Sequence, residues 1–299
     1  MTGAREATSP RLEPLDLDEF VGAAPAAGRP LRRLARSPVA IVGLALITLW
    51  ALVAGLAPVL APYSPTAQHM TAIDMMPSAH HWLGADALKR DLLSRIIWGA
   101  RPVLTLAPLA LAAAYQLGIP LGLAAGYFGG WTDDLISRAV DVLLSFPKIV
   151  IYVVLIATVG PSSTNIVAAV MLVAAPGIAR LTRGLTLELT TNDYVASAQT
   201  RGESAAYIMF AEILPNARGP LIVDACMRMG YTIIAIGVLG FLGLGLPPPD
   251  PDWGGMVRDA APMLIAFPHM ALFPCLAIAS LVLGFNLLAD GLQDLRPRG

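Results

Sequence analysis

Five stretches of this chain contain no Asp, Glu, Lys or Arg: residues 37–73, 103–132, 149–179, 229–249 and 260–289, together half of the 299 residues. A helix that crosses a bilayer needs about 20 mostly apolar residues, so each stretch is long enough to cross. Charged residues make up 14% of the chain, against about 25% in soluble domains. Such a pattern excludes a soluble enzyme, a nucleic-acid binder and a disordered scaffold, and predicts an all-α, multi-spanning membrane protein. With 20 Lys+Arg against 21 Asp+Glu, the net charge of −1 gives no drive toward nucleic acid.

Turn formers divide the apolar stretches into six predicted transmembrane helices, at residues 39–60, 103–125, 135–159, 166–181, 220–246 and 263–289. Pro58 and Pro62 close the first, and Gly126-Tyr127-Phe128-Gly129-Gly130-Trp131 punctuates the second with glycines and interfacial aromatics. Gly160-Pro161-Ser162-Ser163 parts the third from the fourth, and Pro247-Pro248-Pro249 interrupts the chain after the fifth. The organisation is therefore a tail at residues 1–37, a transmembrane domain at 38–294 with a polar loop at about 182–219, and a short tail at 295–299. Residues 1–36 lack an apolar stretch, so no cleavable signal peptide is expected. With the N-terminus inside, the inner segments hold thirteen arginines and the outer ones five Lys or Arg, which places both termini in the cytoplasm.

Catalytic motifs are absent. There is no His-Glu-x-x-His, no Gly-x-Ser-x-Gly and no glycine loop ending in Lys-Ser/Thr, so the chain is not expected to hydrolyse ATP or to hold a metal. His80 and His81 are adjacent without a spaced third ligand, and Cys226 and Cys275 have no metal spacing. The polar loop reads as two short helices, residues 188–200 and 204–213, hinged at Gly202 and closed by Pro215. Small Ala196, Ser197 and Ala198 would let another protein approach it closely.

Those residues carry a resemblance. Asp193-Tyr194-Val195-Ala196-Ser197-Ala198, then Gly202, then Ile213-Leu214-Pro215-Asn216 resembles the coupling loop of ABC-importer permease subunits. His81-Trp82-Leu83-Gly84 with Asp86, Arg90-Asp91, Gly99-Ala100-Arg101, Phe241-Leu242-Gly243-Leu244-Gly245, Trp253-Gly254 and Phe285-Asn286-Leu287 extend it over roughly residues 80–294. They are similar to the second, C-type permease of the dipeptide/oligopeptide branch. The resemblance implies a type I ABC-importer permease fold with a cytoplasmic coupling helix pair between spans four and five. It implies a bacterial inner-membrane location and four kinds of partner: a second permease, two ATP-binding-cassette ATPases, an extracytoplasmic solute-binding protein and the lipid bilayer. ATP and Mg would belong to the ATPases, and this chain would carry no cofactor.

The same resemblance makes Asp193, Tyr194, Ala196, Ser197, Ala198, Arg201, Gly202, Glu203 and Pro215 the ATPase-coupling residues. This chain departs from the family pattern in having Ala196-Ser197-Ala198 for the usual Glu-Ala-Ala and Arg201 for an apolar residue. Arg201 either meets an ATPase groove of complementary charge or points to water. Di- or oligopeptides are the expected cargo, with nickel chelates, glutathione or another small solute as alternatives. An ion-coupled secondary transporter is the competing class, and it calls for inverted repeats and midplane acids that the sequence lacks.

Three intramembrane charges need a reason. Lys148 falls near the middle of the third predicted span, where a charge costs about 2.5–3.5 kcal/mol on insertion scales; it either snorkels to the interface or faces the translocation path. Asp224 and Arg228 stand four residues apart near the start of span five, as an ion pair or as a gate element. Outside, Trp82, Asp86 and Trp253 are candidates to dock the binding protein, with an interfacial belt as the other role for the tryptophans.

Overall fold

The computed structural model describes residues 37–68 and 75–294; the tails expected at 1–37 and 295–299 lie outside those ranges except for Ser37. Among the described residues the chain is almost entirely helical. Ser37 starts α1 (Pro38–Gly55), its Oγ accepting from the Ala40 N–H at 3.3 Å while Pro38 occupies the first turn. A short α2 (Ala57–Leu60) follows. The Asp91 carboxylate caps α3 (Leu92–Phe128), accepting from the Ser94 N–H at 2.8 Å.

Gly129 and Gly130, both at positive φ, turn the chain into α4 (Gly130–Ser145). Pro147 holds Phe146 in an extended conformation and so stops α4, and α5 (Lys148–Val159) leaves at 86°. Then come α6 (Ser163–Leu189), α7 (Asp193–Thr200), α8 (Ala205–Phe241), α9 (Trp253–Ala260) and α10 (His269–Gln293).

Five helices, α1, α3, α6, α8 and α10, are each long and apolar enough to cross a membrane, and the bent pair α4–α5 makes a sixth crossing if counted as one. The third span is therefore not the straight helix the sequence predicts. The other spans are found with shifted ends, because a charge-free window measures hydrocarbon whereas a helix continues past it. Thus α3 begins at Leu92 with Arg95 and Arg101 inside it, α6 runs on to Leu189, and α8 begins at Ala205.

Packing between spans uses missing side chains. Gly118, Gly122 and Gly126 form one stripe of α3, and a Cβ on Gly122 would sit 2.5 Å from the Ala179 carbonyl oxygen of α6. Gly43 of α1 lies as closely against α10, where a Cβ would meet the Gly284 carbonyl oxygen at 2.6 Å. Lipid is as apolar as a leucine, so close backbone approach is a main source of helix association inside it. The central core gathers Ile156, Ile166, Leu239, Leu281 and Trp253.

Candidate functional site

The first site is the hairpin at the end of α6. Thr190, Thr191 and Asn192 break the helix that the sequence suggests over 188–200, so α7 is a separate helix of eight residues with Asp193 in its first turn. It ends in a complete Schellman turn: the Glu203 N–H donates to the Ala198 carbonyl (3.2 Å), the Gly202 N–H donates to the Gln199 carbonyl (3.0 Å), and Gly202 has φ +76°. Val195 and Ala198 are fully buried against Leu123, Ile208, Met209 and Ile213. Ala198 is thus hairpin core and unavailable to another protein, whereas Ala196 and Ser197 are exposed. The Tyr194 hydroxyl is tucked inward, and burial raises its pKa.

Pro215 does not close the second hairpin helix. The chain runs without interruption from Ala205 through Leu214 and Pro215 to Phe241. A proline ring collides with the carbonyl four residues back in a regular α-helix. Here residues Ile208–Ile213 form a wide π turn, with the Leu214 N–H donating five residues back to the Met209 carbonyl, and the widened backbone lets the proline in. Arg201 is answered within the chain: Nη2 lies 3.3 Å from Glu212 Oε1, and Nε lies 3.7 Å from Glu203 Oε1.

The second site lies deeper. Lys148 stands at the first position of α5 rather than in the middle of a helix. It lines a cavity of about 250 Å³ together with Tyr152, Val173, Arg228, Tyr231 and Thr232. Val173 belongs near the midpoint of α6, so the cavity opens beside the middle of that helix. Arg228 Nε donates to Asp224 Oδ2 at 2.5 Å, and the Tyr115 hydroxyl donates to the same oxygen at 2.6 Å. The guanidinium rests against Gly177, where a Cβ would stand 2.9 Å from Nη1. Asp224 and Arg228 lie midway along α8, not at its start. Lys148 makes no ion pair among the described residues. The cavity therefore carries one cation beyond the neutral pair. Tyr115 and Gly177 escaped the sequence reading; the only trace of the first is a hydroxyl inside an apolar run.

The third region caps the other end. His81 Nδ1 meets Asp91 Oδ1 at 2.8 Å, Asp91 Oδ2 accepts from Ser94 Oγ at 2.6 Å, and Asp86 Oδ2 holds Arg90 Nε at 2.7 Å and Arg95 Nε at 3.4 Å. Asp86 is buried in that network, which removes it as a docking residue. Trp253 is removed too: it is 0% exposed, donates from Nε1 to the Ile96 carbonyl at 2.9 Å and packs edge-on against Trp50. Trp82, 70% exposed, keeps its candidacy. Asp252 caps α9, and burial raises its pKa, opposed by the Gly254 and Gly255 backbone N–H groups.

Five membrane-length helices with the bent α4–α5 pair, a short helical hairpin between α6 and α8, and a charged cavity beside them define a helical membrane permease. Residues 118–298 match the family described as the binding-protein-dependent transport system inner membrane component, and the chain belongs to that family. Residues 29–77 match the N-terminal TM domain of oligopeptide transport permease C, which fixes the branch as the dipeptide/oligopeptide one of the ABC importers. The dipeptide transport system permease protein DppC of Alkalihalophilus pseudofirmus is 39% identical over 263 residues, covering 88% of this chain and 86% of that protein. The glutathione transport system permease protein GsiD of Pectobacterium atrosepticum is 41% identical over 266 residues, covering 88% of both. Among solved structures, an inward-facing MetNI methionine ABC transporter shares the fold, with TM-score 0.52 and 19% identity over 67% of this chain and 96% of that one. The chain is a multi-pass inner-membrane permease subunit of an ABC importer.

Proposed function

We propose that this permease forms half of an alternating-access path for di- or oligopeptides, driven by two ATPase subunits that grip the Gly202 hairpin. The observation that carries the proposal is the hairpin itself. Its α7 presents exposed Asp193, Ala196 and Ser197 on one face and buries Val195 and Ala198 on the other, against the start of α8. A push on α7 is therefore delivered to α8, which carries Asp224 and Arg228. The hairpin and both termini are cytoplasmic in this reading, supported by the arginine excess of the inner segments. The opposite face, with Trp82, receives cargo from a solute-binding protein, and a second permease completes the cavity at Lys148. ATP and Mg act in the ATPases.

The surplus cation of the cavity suits a cargo carboxylate. A peptide satisfies that requirement, and so does glutathione, the reading favoured by the GsiD relative. Reconstitution with the ATPases and binding protein, followed by uptake of labelled dipeptide in competition with glutathione and a nickel chelate, tests both. Dipeptide uptake that needs ATP and is abolished by Gly202→Val supports the proposal. Uptake driven by an ion gradient without ATPases overturns it.

A further inference from the structure

Where α4 crosses α3 and α6 it leaves two adjoining openings that share Ile136 and Val140. One, of about 360 Å³, is charged, with Asp141, Arg180 and Arg183 on its walls. The other, of about 190 Å³, is wholly apolar, walled by Leu117, Leu121, Leu135, Leu143 and Leu172. The charged opening lies toward the hairpin end of α6 and the apolar one toward its middle. Together they form a slot that is polar at the membrane border and greasy toward the midplane, and Trp131, 82% exposed, stands on the first turn of α4 at the same border.

The charges in the slot are balanced. Arg183 Nε and Nη2 grip both oxygens of Asp133 at 2.5 Å, and Arg180 Nη2 pairs with Asp141 Oδ1. These pairs leave Arg180 Nε and Nη1 and Arg183 Nη1 as donors, and Asp141 Oδ2 as an acceptor, without partners among the described residues. The Arg180 and Asp141 side chains are 57% and 64% exposed, so the slot is open from outside, and the set matches a ligand bearing both an anion and a hydrogen-bonding cation. An anion alone would upset the balance of the slot, and a bare apolar segment would leave the donors unused.

We propose that the slot holds one phospholipid of the ethanolamine class. Its phosphate would lie against Arg180 and Arg183, its ammonium would donate to Asp141 Oδ2, and an acyl chain would follow the leucines toward the midplane. Arginine N–H groups take lipid phosphates by charge-assisted bonds, and the carboxylate beside them takes the ammonium in the same way. A choline headgroup carries the same charges but has no N–H to give Asp141, so the slot discriminates between the two. This inference stands on the slot alone and does not depend on the cargo or on ATP.

The test uses the full-length chain with its accompanying subunits, delipidated in detergent and titrated with dioleoyl-phosphatidylethanolamine, -phosphatidylcholine or -phosphatidylglycerol while native mass spectrometry counts retained lipid. Ethanolamine lipid is retained at about tenfold lower concentration than choline lipid, as expected for one charge-assisted bond. Asp141→Asn abolishes the preference, Arg180→Gln lowers the retention of both lipids, Arg180→Lys lowers it less, and Ala139→Trp, which fills the greasy end, loses both lipids. Equal retention of ethanolamine and choline lipids overturns the proposal. So does a preference for phosphatidylglycerol, or an ethanolamine preference that survives Asp141→Asn. A cysteine placed at Ala139 that cross-links to another polypeptide in the membrane also overturns it, because the slot would then belong to a protein partner.

Discussion

Arg201 reaches from the turn after α7 to Glu212 in the wide turn of α8, tying the connecting turn of the hairpin to its second arm at 3.3 Å. The Arg201 side chain is 52% exposed, so the pair contributes at most about 0.5 kcal/mol after solvent screening. Its value is angular rather than energetic. Arg201→Glu is expected to weaken ATP-dependent uptake several-fold with no shift in melting, and the swap Arg201→Glu with Glu212→Arg to restore part of it. Uptake in proteoliposomes measured beside a melting curve checks this, and an inactive swap that melts normally would assign Arg201 to an ATPase contact instead.

Gly202 offers open space around its Cα but holds φ at +76°. A side chain there meets no neighbour and strains only the backbone, by about 1–2 kcal/mol for most residues. Gly202→Val should loosen the turn and speed amide exchange over residues 193–204, while Gly202→Asn, which tolerates the left-handed region, should do so far less. Equal exchange in both variants would show that the turn is held by its surroundings.

Tyr115→Phe removes the 2.6 Å bond to Asp224 and leaves Arg228 as its sole partner. Hydrogen bonds to a charged group contribute about 1.5–3 kcal/mol, so a clear fall in thermal stability is expected. Arg228→Met should be worse, since it strands a half-buried carboxylate, while Asp224→Asn with Arg228→Met together should recover much of the loss. Melting of the four proteins in one detergent decides the order.

The Asp252 carboxyl is pushed above its usual range by burial. A folded-state pKa above the unfolded value of about 4 means that the native state holds a proton the unfolded chain has released, so this group's contribution to stability falls as pH rises through that interval. Asp252→Ala should flatten that part of the profile and cost about 1 kcal/mol through the lost cap on α9. Melts taken at stepwise pH from acid to neutral provide the comparison.

Charge-free windows located the five long spans α1, α3, α6, α8 and α10 because lipid excludes charge wherever it touches a helix. They missed the 86° bend because hydropathy is blind to direction: Phe146-Pro147 is uncharged and passes as membrane, although proline geometry alone breaks the helix there. Pro215 misled in the opposite way. It looked like a stop, but the π turn before it absorbs the ring, and nothing in a one-dimensional pattern signals that a turn will widen. Asp86 and Trp253 looked like surface chemistry because loops usually are surface. Their burial depends on contacts with Arg90, Arg95 and Ile96 that only the folded chain brings together.

The widened turn at Ile208–Ile213 also sets azimuth. One surplus residue in a single turn rotates everything beyond it by about 100° relative to an unbroken rod. Ile208 and Ile213, five residues apart, can therefore both aim at the hairpin core, where one regular helix would set them about 140° apart. Should that bulge migrate along α8, a thrust arriving at the hairpin would emerge inside the bilayer as a roll of the rod, swinging Arg228 around the cavity without lengthening or shortening the helix.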